Sequence, residues 1–332
     1  MTRTLPTSGA PQYLFVEVTS ECNLRCKQCH LWRTREPATS LSTAEKLALV
    51  TDFAGFATRP TVVLTGGEPT SKLEEFFALT KHCRTLGVSC AANTNGTLLD
   101  ASHVERLLAD GPRYLVISLD SHRPDVHDYI RGVRGTFQRA TTLIRAVVEG
   151  RQNRLSDVRV LVNATVMDLN VRELDSLVSF ATELGVDGVT FQMLGRTFAL
   201  STRRDAFFEK HFPRNLDQFD QAMDALVVGR AAGRLILTSD EDFRWMKLYV
   251  RDPDFVGEAV CGSHEKNVMV DMMGNVQLCF AMRSLLGGRD LGNVRERSLA
   301  ELWASEAASA ARGLMQVCRK NCGMLNCHRR AS

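Results

Sequence analysis

Between residues 13 and 194 the chain repeats one unit, a short β-branched or aromatic run followed by an amphipathic helical pattern, and that repetition leaves few folds open. The strand-like runs are 13–19 (YLFVEVT), 61–66 (TVVLTG), 88–96 (VSCAANTNG), 114–120 (YLVISLD), 158–167 (VRVLVNATVM) and 188–194 (GVTFQML). Helical spacing over 43–54, 73–86, 101–110, 137–149 and 172–184 separates them. Ser42 and Glu45 stand at capping-box spacing before the first helix, and Gly87 and Gly185 close two of the others. Strands that alternate with helices pair in parallel, because parallel neighbours need a long right-handed crossover. Six units fit a barrel section or an open doubly wound sheet. The expectation is an α/β fold, a partial (β/α)6 TIM-like barrel. In either arrangement ligands sit at the C-terminal ends of the strands. The polar segments 22–29, 66–69, 93–96 and 118–120 all fall there, which places them on one face.

After residue 195 the pattern loosens. A polar, aromatic stretch (196–214) precedes a helix near 216–232. Residues 268–280 read as a hairpin turning at Gly274-Asn275, and 298–310 as a helix opened by Ser298 with Glu301 at capping-box spacing. A boundary near 235 divides a core (12–234) from a small cysteine-rich hairpin-and-helix module (235–332). Stretches 196–214 and 238–257 are read as loops that line a cavity or lie on the surface.

The net charge of +3 over 332 residues is small, and the basic residues are scattered apart from His328-Arg329-Arg330. That pattern does not point to a nucleic-acid partner. No apolar run approaches the ~18 residues a membrane span needs, and the start has no signal-peptide pattern. The chain is therefore expected in the cytoplasm, with no membrane partner. In that compartment disulfides are disfavoured, so clustered cysteines lean toward metal or redox roles. Of ten cysteines, three lie within 22–29 and five lie after residue 260. Cys83 and Cys90 are isolated, and are expected to pack as small core hydrophobes.

Cys22, Cys26 and Cys29 form a Cys-x₃-Cys-x₂-Cys run. Thiolates suit iron–sulfur clusters, and a cubane ordinarily takes four. Three without a nearby fourth leave one iron open to a ligand, as open catalytic metal sites are. Zinc completed by His30 is the competing reading.

With Gly66-Gly67-Glu68-Pro69 at the end of the second strand, this run resembles the signature of the radical S-adenosylmethionine (SAM) superfamily. Asn95-Gly96, Ser118-Leu-Asp120, His127-Asp128, Arg131-Gly132 and Gly135-Thr136-Phe137 extend the resemblance over residues 13–194. It implies a [4Fe–4S] cluster on the three cysteines, whose open iron chelates SAM. Gly66 and Gly67 would let the backbone approach that ligand. Glu68 would accept a hydrogen bond from its amino group. Asn95 and Asp120 would belong to the same pocket, and Ser118 with Arg131 or Arg139 would hold the carboxylate and ribose end. One electron, from a donor such as flavodoxin or ferredoxin, would release a 5′-deoxyadenosyl radical that abstracts a substrate hydrogen atom. The residue before the third cysteine is often aromatic in this family; here it is Gln28, with His30 and Trp32 just after.

Cys261, Gly274 and Cys279 are followed by Leu291-Gly-Asn-Val294, Ser298-Leu-Ala-Glu-Leu-Trp303, and then Cys318, Cys322 and Cys327. This resembles the SPASM and shorter twitch modules of the same superfamily, which carry auxiliary clusters. Five cysteines suit one auxiliary [4Fe–4S] cluster with a thiol to spare. Zinc on the same residues is the alternative. Cys322, if not a ligand, is the candidate hydrogen-atom donor.

Only twelve residues precede the first strand, short of a leader-recognition domain such as peptide maturases carry. The expectation is therefore oxidation or epimerisation of a small polar natural-product intermediate: a sugar, aminocyclitol or nucleoside-type substrate. A maturase acting on a ribosomally made peptide is the alternative. A non-catalytic iron–sulfur or zinc binding protein is the second.

Overall fold

A computed structural model describes residues 9–35, 37–152, 156–195, 206–253, 262–280, 282 and 290–318. Six strands, β1 (Tyr13–Thr19), β2 (Thr61–Gly66), β3 (Ser89–Thr94), β4 (Tyr114–Ser118), β5 (Arg159–Val166) and β6 (Gly188–Met193), pair in parallel in sequence order. That order decides between the two open topologies. Right-handed crossovers that always step the same way put every helix on one side, which makes a barrel section rather than a doubly wound sheet. Helices α1 (Thr43–Phe56), α2 (Leu73–Thr85), α3 (Val104–Asp110), α4 (Pro124–Arg131), α5 (Thr136–Gln152) and α6 (Leu174–Glu183) follow successive strands, with both α4 and α5 between β4 and β5.

Residue parity separates the faces of the sheet. Along β5, Val160, Val162, Ala164 and Val166 are fully buried in the main hydrophobic core, where α5 packs. Their neighbours Leu161 and Asn163 are only half-buried. Asn93, in the middle of the sheet, is exposed, so the face opposite the helices is an open concavity. Cys83 and Cys90 lie in the core as expected.

The expected hairpin is present as β7 (Asn267–Val270) and β8 (Val276–Gln277), an antiparallel pair. Asp271 organises the turn, its Oδ1 accepting from the N–H groups of Met273 and Asn275, and Gly274 adopts φ +90°. The hairpin joins the barrel sheet, because β7 runs parallel to β1 on the edge away from β2. The module also grips α1. Arg295 reaches Glu45 of the α1 capping box and the carbonyls of Thr39 and Ser40, and Asp52 of α1 accepts from Leu299 N.

Three sequence readings change. The single helix expected over 298–310 is two, Leu299–Trp303 and Glu306–Gln316, because Ser305 caps the second by accepting from Ala308 N. The stretch 238–257, read as loop, contains helix Asp240–Arg251, opened by a Ser239–Asp242 capping box. The stretch 196–214 ends in helix Ala206–His211, and residues 196–205 lie outside the described residues. Among the described residues no helix is long and apolar enough to cross a membrane.

Helix α4 turns into α5 through a loop that Asp128 closes. Its carboxylate accepts from Gly135 N, Phe137 N and the Thr136 hydroxyl, capping α5 from outside. Burial raises its pKa, but these hydrogen bonds outweigh that and leave it below the ordinary aspartate value. The folded carboxyl thus stays ionised to lower pH than the unfolded one. Its contribution is complete above about pH 4 and fades as pH falls through the depressed folded value. Asp128→Ala should cost about 1 kcal/mol at neutral pH in urea unfolding, solvent screening holding it at the low end. The gap to wild type should shrink as pH falls through that depressed value and the wild-type carboxyl loses its charge.

Candidate active site

Cys22, Cys26 and Cys29 occupy the loop after β1, all half-buried. The loop has little regular structure of its own, so neighbouring elements must hold its backbone. On one side Gly67 N donates to Thr19 O at 2.6 Å and Glu68 N to Glu21 O at 2.7 Å. On the other, Arg25 N donates to Arg131 O at 3.3 Å and Lys27 N to Ile130 O at 2.9 Å. The glycines make this approach possible. A Cβ on Gly67 would stand 2.3 Å from Glu21 O, and one on Gly132, at φ +71°, would stand 2.1 Å from Arg25 O. A Cβ on Gly66, at φ +116°, would stand 2.5 Å from Thr19 O. In the structure Gly66 and Gly67 therefore admit the cysteine loop itself, a requirement that the sequence reading had assigned to the ligand.

Glu68 is buried where β2 ends. Its Oε1 accepts from the Thr70 hydroxyl, Thr70 N and the Thr94 hydroxyl, at 2.5, 3.1 and 2.6 Å, and Oε2 accepts from Asn95 N at 2.7 Å. Burial raises its pKa and these bonds oppose the rise. Oε2, with one partner, retains acceptor capacity. The Asn95 side chain turns to the cysteine loop instead, donating to Asn23 Oδ1 at 2.9 Å and accepting from Thr97.

Asp120 is fully buried and does not reach the concavity. Its Oδ2 pairs with Arg131 Nε at 2.7 Å, and Oδ1 accepts from Thr165 N at 3.0 Å. His127, pushed down to about 4 by burial and the Arg131 charge, is neutral and accepts from Asp120 N at 3.2 Å. Arg131 also lies beside the Cys26 thiol. Burial alone would lower its pKa, but Asp120 and Cys26 raise it, so it stays charged. Arg139, the other arginine expected here, is exposed and donates to the carbonyls of Gly135 and Arg134 in its own loop. The structure brings Arg131 to the cysteines and leaves Arg139 outside. Ser118 closes β4 on the concave side, in register with Asn163, and its hydroxyl makes no hydrogen bond among the described residues.

The donor set fits an iron–sulfur cluster. Among the described residues no three ligating side chains converge on one point, as a single ion needs. Three thiols on one loop, with no fourth cysteine beside them in the chain, are the donor set of a cubane with one open iron. Burial, then the Glu68 charge against a favourable Leu24 N–H, pushes Cys22 up to about 12; burial also raises Cys26 and Cys29. Before a cluster binds, these groups are therefore thiols, and cluster assembly releases their protons. Buried oxygens without a partner ring the site: Ser20 Oγ, Gln28 Oε1 and Ser71 Oγ. Trp32 is tied to the loop, its Nε1 donating to Cys26 O at 3.2 Å. In the second module Cys279 is buried directly after β8, and Cys318 follows helix Glu306–Gln316. Cys261, Cys322 and Cys327 lie outside the described residues.

Comparison with known proteins identifies the arrangement. The radical SAM superfamily model matches residues 16–181, half of the chain. The chain belongs to the radical SAM superfamily. An iron–sulfur cluster-binding SPASM domain matches residues 261–328. The cofactors are accordingly a [4Fe–4S] cluster, SAM and an auxiliary iron–sulfur cluster. An AdoMet-dependent heme synthase of Methanosarcina barkeri is 32% identical over 179 residues, 54% of this chain and 49% of that protein. The chain thus matches about half the length of that relative. The mycofactocin maturase MftC of Mycolicibacterium smegmatis is 26% identical over 326 residues, 94% of this chain and 78% of that one. SuiB of Streptococcus suis, solved with SAM, superposes with a TM-score of 0.73 at 17% identity, covering 96% of this chain and 74% of that one, and shares the fold.

Sequence reasoning missed the residues that hold the site from behind. Thr70, Thr94 and Asn23 bind Glu68 and Asn95 rather than a ligand, and no spacing rule marks them; His127, within the matched stretch, accepts from Asp120 N. The glycine at 132, one residue beyond α4, was the legible signal for the second strap. Gly132→Ala should lower stability by about 2 kcal/mol, combining left-handed strain with the clash, and should depress iron content after reconstitution. Gly135→Ala, also at positive φ but meeting only the Arg139 side chain at 3.9 Å, should cost about 1 kcal/mol and leave iron content unchanged. Equal iron loss in both variants would remove the strap from the account.

Proposed function

We propose that the chain is a maturase that abstracts a hydrogen atom from a ribosomally made peptide. The observation that carries this reading is the polar wall of the concave face; the likeness to the mycofactocin maturase supports it by running through both modules, an extent that a likeness to an Fe-coproporphyrin III synthase of Methanosarcina barkeri shares. SuiB, which shares the fold, has also been solved with its precursor peptide SuiA. Register places Ser118 beside Asn163, Asn163 beside Thr190, and Thr165 beside Gln192. Thr190 donates to Asn163 Oδ1 at 2.9 Å, and Gln192 donates to Thr165 at 3.3 Å. Amides and hydroxyls on this wall match a substrate rich in donors and acceptors, as a peptide is. The small polar substrate expected first shares this chemistry and is the second reading.

Cys22, Cys26 and Cys29 would hold the cluster, which when reduced would supply the one electron needed to cleave SAM to methionine and the hydrogen-abstracting radical. The protein's own part is placement. Oε2 of Glu68 takes the SAM amino group in a charge-assisted bond. Arg131, held by Asp120, and Ser118 take the carboxylate end. Gln28 Oε1, unpartnered beside the cysteines, is an acceptor for the adenine amino group. Cys261 and Cys279, with two or three of Cys318, Cys322 and Cys327, would hold the auxiliary cluster.

Anaerobic reconstitution should give about eight irons per chain, and Cys22→Ala/Cys26→Ala/Cys29→Ala about four. Reduced protein with SAM should yield 5′-deoxyadenosine. A deuterated peptide encoded beside the gene should pass deuterium into that product. Transfer only from a deuterated sugar or porphyrin would overturn the peptide reading. Glu68→Gln should keep wild-type iron while weakening SAM binding about 10- to 100-fold, the worth of a charge-assisted hydrogen bond. Unchanged affinity would remove Glu68 from the SAM site.

A further inference from the structure

The radical chemistry needs one electron per turnover, and the side of the cysteine loop turned to solvent carries a distinct charge. Arg25 and Lys27 lie between the ligands and are exposed; Arg33 and Arg35 follow the third cysteine and are exposed as well. The straps bring a further base to the same edge. Arg25 is bonded to Arg131 and pressed against Gly132, and Arg134, two residues on, is exposed. Arg33 stacks on Trp32, its guanidinium carbon 4.8 Å from the ring centroid, and Trp32 is itself bonded to Cys26. Among the described residues none of Arg25, Lys27, Arg33, Arg35 and Arg134 forms an ion pair.

Among the described residues the nearby acids are engaged elsewhere; Glu36, next to Arg35, lies outside the described residues. Glu21 is taken by Lys72 at 2.9 Å, Asp128 is spent on the α5 cap, and Asp125 is paired with Arg123. Elsewhere Arg84, Arg106, Arg123, Arg159, Arg234 and Arg251 each meet a carboxylate, while Arg59, Arg145 and Arg172 stand exposed singly; what marks this strip is five exposed bases gathered on and beside one loop. Tyr129, 44% exposed, stands next to Lys27, whose Nζ is 6.0 Å from its ring centroid, and gives the strip an aromatic contact.

We propose that this strip, Arg25, Lys27, Arg33, Arg35 and Arg134 around Tyr129, is the docking surface for a small acidic electron-carrier protein bearing a flavin or an iron–sulfur centre. The inference deepens the functional reading, on which it rests for its need of a reductant. Two facts favour a reductant over a substrate here. Electron transfer weakens steeply with distance, and the strip is built on the cluster's own loop. The wall that offers hydrogen bonds to a substrate, by contrast, lies on β4 to β6. Complementary charge at such a rim mainly speeds encounter and makes it salt-dependent.

The test uses an acidic flavodoxin as the probe and Lys27→Glu/Arg33→Glu/Arg134→Glu as the variant. Surface plasmon resonance should show flavodoxin binding to the reconstituted wild type that weakens as salt is raised. It should be at least about tenfold weaker for the variant. 5′-Deoxyadenosine formation should fall in parallel when reduced flavodoxin is the donor, and stay at the wild-type rate when dithionite is. Arg33→Glu/Arg134→Glu, outside the cysteine span, serves as the second variant and should keep wild-type iron content while losing part of the affinity. Salt-independent binding, or equal affinity in wild type and variants, overturns the proposal. So does an equal loss with dithionite, or weakened binding of an acidic peptide with flavodoxin binding intact. If wild type and dithionite give no 5′-deoxyadenosine, the functional reading fails while the binding measurement still judges the surface.

Discussion

The site depends on the two backbone straps that hold the cysteine loop. A loop that must present three thiols at separate corners cannot fold them into a helix or strand, so its shape is borrowed from neighbours. The turn after β2 supplies one strap and the end of α4 the other. Each strap requires a glycine on the neighbouring element, because backbone meets backbone with no room for a Cβ. The glycine-rich segment after β2 is therefore structural and chemical together. Gly67 lets the loop in, and the next residue, Glu68, is delivered to the same face.

Charge at the site is arranged in layers. Glu68 is buried within a shell of hydroxyl and N–H donors, and Arg131 is buried against Asp120 and Cys26. Each charge is fixed before any ligand arrives, so binding would not have to order it. A buried ion pair with one member removed leaves the other uncompensated, which ties Asp120 to the site even though it points away. Neutral His127 and the Thr165 N–H complete that support.

The barrel section was legible because period and punctuation agree. Each strand run is followed by a helix of the right length, and Ser42 and Gly185 mark real helix ends. The cysteine run and Gly66–Pro69 were legible because their residue types have few other uses together. What the sequence hid is contact between distant segments. Nothing in Asp120 says that it faces Arg131, and Arg139 is as good a candidate as Arg131 until α4 and α5 are placed. The helix Asp240–Arg251 was hidden by its composition: Asp, Arg and aromatics read as loop, while burial of Phe243, Trp245, Met246 and Tyr249 shows one apolar face.

The hairpin carries the last consequence of the fold. Because β7 extends the sheet from β1, the strand whose end bears the first cysteines, Cys279 and the cysteine loop are linked through one hydrogen-bonded ladder. Tyr13 to Val16 pair with Asn267 to Val270, so a shift of the hairpin along β1 would have to break the whole register. Arg295 and Asp52 oppose the same shift from the α1 side. The distance between Cys279 and the cysteine loop is thus set by backbone pairing rather than by a linker. That is the rigidity required if both centres are to serve one substrate placed between them.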